Sequence, residues 1–192
     1  GSRTYCHRMT ASALPFRRPR SVTLFLAVLA FAGTFIGGAV DEAAAQARVL
    51  QGSVTVIDGD TLKMGRQRIR LFGIDAPEKA QPFGARAKQS LSDLAYGQTL
   101  TIEWYKRDRY GRIVGKLLDG RGEDLNLAQV RRGMAWHYKE YRKEQPAKDR
   151  DIYADAEQAA RHQGRGLWAD AQAEAPWEYR RQKRAARNAA SQ

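Results

Sequence analysis

Residues 56–62 read Val-Ile-Asp-Gly-Asp-Thr-Leu, and residues 68–78 read Arg-Ile-Arg-Leu-Phe-Gly-Ile-Asp-Ala-Pro-Glu. Each apolar run leads into carboxylates, and Gly65-Arg66-Gln67 between residues 61–64 and 68–74 signals a hairpin. Working outward, residues 49–57 alternate weakly as a strand. Residues 99–105 set Leu100, Ile102 and Trp104 against Thr101, Glu103 and Tyr105, and residues 112–118 run on to Asp119-Gly120. Five strands in succession exceed what a small helical domain carries and point to a compact barrel or sandwich.

Helical spacing appears in three places. Residues 82–96 carry Ala87, Leu91, Leu94 and Ala95 and stop at Gly97. Residues 124–132 carry Leu127 and Val130 and stop at Gly133. Residues 146–163 open at a proline, carry Ile152, Ala156, Ala159 and Ala160, and stop at Gly164. The expected fold is therefore α+β, a five-stranded barrel with three α-helices. After Trp168 the chain turns Ala-rich and then basic, so residues 169–192 are expected to form a flexible tail or a solvated helix.

The chain has 192 residues, room for one domain with a core plus tails. Its net charge of +12 points to a polyanionic partner, nucleic acid or anionic lipid. Cys6 is the single cysteine, which excludes intrachain disulfides and Cys-based zinc sites, and His7, His137 and His162 are scattered.

Residues 1–47 read as a tag remnant followed by an export signal. Met9 is a plausible start, Arg17, Arg18 and Arg20 form a basic region, residues 22–40 are apolar, and Ala45-Gln46-Ala47 fits a small-x-small cleavage site. Cleavage is expected after Ala47, giving an exported protein, periplasmic or extracellular. The alternative is an uncleaved anchor, since about 19 apolar residues span a bilayer. Residues 1–47 hold five arginines against Asp41 and Glu42, so nine of the twelve net charges remain in residues 48–192.

Asp60, Asp75 and Glu78 each follow a strand-like run or a turn, which allows neighbouring strands to bring them together. Carboxylates without soft ligands suit Ca²⁺ or Mg²⁺. Read singly, Asp58-Gly59-Asp60 is equally a turn, and Asp75 and Glu78 are equally caps. Read with Arg70 and Arg112, they supply cation ligands, a base and phosphate-gripping guanidiniums together, the parts of a phosphodiester-cleaving site. Arg70 and Asp75 are five residues apart, so a regular strand would point them to opposite faces, and a bend near Gly73 is required. Tyr110, Trp136, Tyr138 and Tyr141, interleaved with Arg109, Lys139 and Arg142, suggest a platform for single strands. Trp136 and Trp104 fit equally well as packing aromatics.

In combination, Ile57-Asp-Gly-Asp-Thr61, Arg70-Leu71 leading to Asp75-Ala-Pro-Glu78, and Asp108-Arg-Tyr-Gly-Arg112 resemble the staphylococcal-type thermonuclease family, an elaborated OB-fold. Gly133-Met-Ala135 and Gly166-Leu-Trp168 add to the resemblance, which runs over residues 49–168. It implies that Asp60 and Asp75 ligate Ca²⁺ (Mg²⁺ second), assisted by the Ala76 carbonyl with Asp58 behind them. It further implies that Glu78 orients or deprotonates water, that Arg70 and Arg112 bind the scissile phosphate, and that Tyr110 sits near the nucleotide. The implied activity is cleavage of DNA and RNA, preferably single-stranded, with low sequence specificity and 3′-phosphate ends. Arg109 and Tyr138 join as substrate-binding candidates.

The hairpin at residues 64–68 and the loop Lys79-Ala80-Gln81 are shorter than in the best-known member, and the aromatics after Ala135 are spaced differently. A non-catalytic barrel that holds single-stranded nucleic acid is the competing reading. No protein partner is expected, a monomer is the default, and membrane contact arises only if residues 22–40 are retained.

Overall fold

The structure, a computed structural model, describes residues 48–191. The export signal or anchor and Cys6 lie outside the described residues. Among the described residues there are eight short strands: β1 (Arg48–Gly52), β2 (Thr55–Val56), β3 (Thr61–Met64), β4 (Gln67–Leu71), β5 (Ile74–Asp75), β6 (Leu100–Arg107), β7 (Ile113–Leu118) and β8 (Trp136–His137). Six form one sheet in the order β1-β6-β7-β4-β3-β2, while β5 pairs with β8. All pairings are antiparallel except β4 with β7.

The single strand expected over residues 49–57 is two. β1 pairs with β6 and β2 pairs with β3, so one short segment supplies both edge strands of the sheet. Consecutive residues reach both edges only if the sheet curls on itself, which is the barrel-like curvature of an OB-type α+β fold. The expected α+β barrel architecture is therefore present, with this segment divided and the strand expected over residues 68–74 broken into β4 and β5.

The three expected helices appear as α1 (Gly84–Ala95), α2 (Leu125–Arg131) and α3 (Ala147–His162). Asp124 caps α2 by accepting the Leu127 N–H at 3.0 Å, and its other oxygen accepts the Tyr153 hydroxyl at 2.8 Å. The basic tail is a fourth helix, α4 (Pro176–Ala189). This corrects the flexible-tail alternative. Nor is α4 merely solvated, because Pro176 is buried and Arg180 reaches across to Asp75 of β5.

The core packs Leu62, Ile69, Leu71, Ile102, Ile113 and Leu117 from the sheet against Leu91 of α1 and Val130 of α2, all at most 1% exposed. In β7 the alternation is direct, with Ile113, Gly115 and Leu117 buried and their neighbours half-buried. Each fully buried aliphatic chain contributes about 1.5–3 kcal/mol.

Two backbone features hold the ends of the sheet and helices in place. Gly73 has φ +76°, and a Cβ there would collide with the Gln145 side chain, so glycine makes the turn that takes the chain out of the main sheet into β5. Asn126 braces that exit: its amide donates to Phe72 O (3.0 Å) and Gly115 O (3.2 Å), and its oxygen accepts the Leu117 N–H at 3.0 Å. Elsewhere, Gly133 and Gly166 press backbone on backbone. Leu167 N donates to Gly133 O at 2.9 Å, a Cβ on Gly133 would fall on the Arg165 carbonyl, and a Cβ on Gly166 would fall on the Gly133 carbonyl. That contact sets the short 3₁₀ turn Gly166–Ala169, and with it Trp168, against the end of α2. Among the described residues no helix is long and apolar enough to cross a membrane.

Candidate active site

The bend at Gly73 brings together what strand periodicity would separate. Arg70 leaves β4 and ion-pairs with Asp60 through Nη1 and with Asp75 through Nη2, the latter at 2.7 Å. Asp60 is fixed from three sides. One oxygen pairs with Arg70 and also accepts the Ala76 N–H at 2.7 Å, while the other accepts the Thr61 hydroxyl at 3.0 Å. The loop carrying Asp58 and Asp60 is held from behind by Gln129 of α2. Its amide donates to Gly59 O (2.9 Å) and Ala87 O (3.0 Å), and its oxygen accepts Ser90 Oγ–H at 2.6 Å. Buried polar groups satisfied in this way fix one loop geometry.

One cleft of about 580 Å³ is lined by Asp58, Asp60, Arg70, Asp75, Ala76, Glu78, Arg109, Tyr110, Arg112 and Tyr138, so the candidates for catalysis, metal and substrate binding all reach it, whereas Trp136, Lys139 and Arg142 of the expected platform do not. Asp75 is wholly buried. Burial pushes its carboxyl up and Asp60 adds to the rise, while the guanidiniums of Arg180 and Arg70 pull the other way; the net direction is upward. The Asp58 carboxyl is pushed up to about 6 by burial and then by the neighbouring Asp60 charge. The acidic side of the cleft therefore carries more negative charge than Arg70 neutralises.

Across the cleft, Asp108 organises the turn to Arg112. Its Oδ1 accepts the N–H groups of Tyr110 (2.9 Å) and Arg112 (3.0 Å), and its Oδ2 accepts Arg112 Nε–H at 2.7 Å. Partial burial raises the Asp108 carboxyl, but the Arg112 side chain and these N–H bonds outweigh it and hold it below the usual carboxylate range. With Nε committed, the two terminal nitrogens of Arg112 remain for an anion, the fork geometry that suits phosphate. Tyr110 is 69% exposed at the lip, beneath the guanidiniums of Arg109 (4.9 Å) and Arg112 (5.6 Å). Tyr138 packs on Tyr141 at 5.5 Å between ring centroids, and burial followed by the Asp75 charge keeps its hydroxyl protonated to higher pH than usual.

Trp136 is not part of the platform. It sits edge-on to Trp168 (4.4 Å) and Trp177 (5.4 Å) and under Arg161, so the packing reading of that residue is correct. Trp104 is likewise buried, flanked by Arg48 and Arg107.

Sequence reasoning missed Arg180 of α4. Its Nη1 donates to Asp75 Oδ1 (3.1 Å) and Glu78 Oε1 (2.8 Å), and its Nη2 donates to Asp75 Oδ2 at 2.8 Å. Arg184, one turn later, also lines the cleft. Pro176 followed by Trp177, Arg180 and Arg184 at helical spacing signals the helix, but no local pattern announces a contact 105 residues away. Asp108 was legible in principle, because an aspartate four residues before an arginine across a glycine turn is common turn chemistry.

The donor set for a metal is oxygen-only: Asp60 and Asp75, with the Asp58 charge behind them. That composition fits a hard cation. Among the described residues no three His, Cys, Asp or Glu side chains stand together as a ready cage. A cation here would take one or two carboxylates and complete its shell with water and phosphate oxygens.

Residues 68–170 match the staphylococcal nuclease homologue family. An uncharacterized endonuclease of Escherichia coli is 39% identical over 134 residues, covering 68% of this chain and 84% of its own length. A micrococcal nuclease of Shigella flexneri is 40% identical over 147 residues, covering 70% and 82%. An uncharacterized endonuclease of Haemophilus influenzae is 38% identical over 136 residues, covering 68% and 72%. The chain belongs to the staphylococcal nuclease homologue family and is a hydrolase of the nuclease class.

Proposed function

We propose that this protein is an exported, Ca²⁺-dependent nuclease that cleaves DNA and RNA, single strands above all, with low sequence specificity. The observation that carries the reading is the convergence in one cleft of Glu78, Arg112 and the Asp60–Arg70–Asp75 cluster, drawn from segments up to 52 positions apart.

Glu78 is only half-buried, on a loop stiffened by Pro77, and Arg180 engages only its Oε1, which leaves Oε2 for water. It accepts the proton of the attacking water as the new P–O bond forms and the P–O5′ bond breaks, leaving a 3′-phosphate and a 5′-hydroxyl that takes its proton from solvent. Arg112 donates to the phosphate oxygens on which charge accumulates, so its contribution grows toward the transition state. Arg70 acts from the opposite side, holding Asp60 and Asp75 in register while its positive charge faces the same phosphate. When bound at Asp60 and Asp75, with help from the Ala76 carbonyl, Ca²⁺ neutralises substrate charge. Tyr110, backed by Arg109, offers an exposed ring for a base, and Tyr138 offers a protonated hydroxyl. Low sequence specificity follows from a cleft that presents charges and rings rather than a pattern of base-edge donors.

Export is supported by the basic-then-apolar sequence before Ala45-Gln46-Ala47. An N-terminus at Arg48 in mass spectrometry of natively expressed protein is the expected result, and a retained apolar segment would replace export with anchoring. The activity is tested by incubating the protein with single-stranded DNA under Ca²⁺, Mg²⁺ or chelator, beside Glu78→Gln. Cleavage with Ca²⁺ that chelator and Glu78→Gln both abolish is expected. Binding without cleavage under every metal would leave the non-catalytic reading in its place.

A further inference from the structure

Helix α4 lies beyond the residues that match the family, and its sequence gives it two different faces. Trp177, Arg180, Arg184 and Arg187 recur at helical spacing and share one side. Trp177 anchors that side against Trp136 and Tyr138, with centroids at 5.4 and 5.6 Å, and Arg180 reaches Asp75 and Glu78. The base of the helix is tied to the loop after Glu78. Gln81 Nε2 donates to Glu174 O at 2.7 Å, and the Tyr179 hydroxyl donates to Ala80 O at 3.4 Å.

The two cations that flank this stripe, Arg181 and Lys183, are engaged within the helix. Arg181 pairs with Glu178, and Lys183 lies 6.0 Å from the Tyr179 ring. Arg184 and Arg187 are exposed and, among the described residues, pair with no carboxylate. With Arg180 they put like charges on one stripe, which repel one another until an anion lies along them. A rise of about 1.5 Å per residue spaces Arg180 from Arg184 by roughly 6 Å, similar to the step between phosphates of an extended strand. Arg109 and Arg112 line the same cleft as Arg180 and Arg184.

We propose that α4 is a second wall of the nucleic-acid cleft, in which Arg184 and Arg187 bind the phosphates flanking the one at Arg112. Arg180 is the positioning residue that fastens this wall to Asp75 and Glu78, and to Glu78 alone when a cation holds Asp75. The proposal rests on the nuclease reading and extends it: the substrate is a strand of several nucleotides that runs past the family fold and along α4.

The test uses the full chain in chelator, so that binding is measured without cleavage. The probe is a fluorescent oligothymidylate of about 12 nucleotides. Arg184→Gln/Arg187→Gln is compared with Arg181→Gln/Lys183→Gln, which removes the same charge from the two flanks of the stripe. The first pair is expected to lose about tenfold in affinity and to flatten the dependence of log K on log salt by about 1.4, the value for two phosphate contacts on a single strand. The second pair is expected to stay within about twofold of the unaltered protein, since Arg181 is already paired with Glu178 and Lys183 lies over Tyr179. Equal losses in the two pairs, or full affinity in the first, overturn the wall. Melting curves that match the unaltered protein show that both variants fold. Unaltered protein that neither binds nor cuts DNA sinks the nuclease reading itself. Unaltered protein that cuts, beside a first pair that binds normally, sinks only the wall.

Discussion

Arg70 and Arg180 hold the same carboxylate from opposite directions, and they do so under very different conditions. Arg70 comes from a strand inside the main sheet. It lies between two aspartates on a chain path set by Gly73 and braced by Asn126. Arg180 comes from a terminal helix, with its side chain 35% exposed and its partner Glu78 more exposed still. The inner wall is fixed by burial, where a missing partner leaves a charge stranded. The outer wall is fixed by half-exposed contacts that water and ions replace more readily, and Asp75 keeps Arg70 when Arg180 leaves. Chemistry that needs preset geometry belongs to the first, and affinity that tolerates exchange belongs to the second.

The sharpest test separates catalysis from both walls. Glu78→Gln and Arg112→Gln each lower kcat by about 10²–10⁴-fold with the melting temperature nearly unchanged, as single-turnover assays on single-stranded DNA would report. A rate close to the unaltered protein would remove that residue from the mechanism.

Next in size, Arg70→Gln costs about 3–5 kcal/mol of stability, because it leaves Asp75 and Asp60 buried without their shared partner. Urea unfolding measures it. A loss below about 1 kcal/mol would mean that the inner wall is no more rigid than the outer.

A smaller effect depends on pH. The Asp58 carboxyl stands at about 6 in the folded protein against 3.8 ordinarily. The folded state thus binds that proton more tightly. The associated stability is complete below about pH 4 and is lost as pH rises through 6. Discounted for solvent screening, the loss is about 1–2 kcal/mol. In chelator, Asp58→Asn flattens the stability profile between pH 4 and 7, and an unchanged slope would place the surplus charge elsewhere.

Smallest is Arg180→Gln, with a stability loss of about 1 kcal/mol by the same urea measurement. A cost equal to that of Arg70→Gln would erase the distinction between the walls.

How much of this was legible depended on the distance over which residues act. The strands at Thr61–Met64 and Gln67–Leu71, the helix ends at Gly97, Gly133 and Gly164, and the cluster of Asp60, Arg70, Asp75, Glu78 and Arg112 follow from local pattern and motif. The need for a bend at Gly73 followed from counting residues along a strand. The division of residues 49–57 did not show, because a sequence does not say that a strand will serve two edges. Gln129 reads as one polar position on a short helix, and only the packing of α1 against α2 turns it into the brace behind Gly59. Trp136 and Tyr138 are two residues apart and equally aromatic, yet one is walled in by Trp168 and Trp177 while the other faces the cleft.

The contact between Gly133 and Gly166 carries a genetic consequence. A methyl group on either residue meets a carbonyl of the main chain before any side chain. Lesions that crowd a side chain are relieved by trimming the neighbour, but main-chain oxygens are encoded by every codon alike. A revertant screen on Gly133→Ala should therefore return the original glycine, or general stabilisers scattered over the barrel, and no compensating change at Arg165 or Gly166.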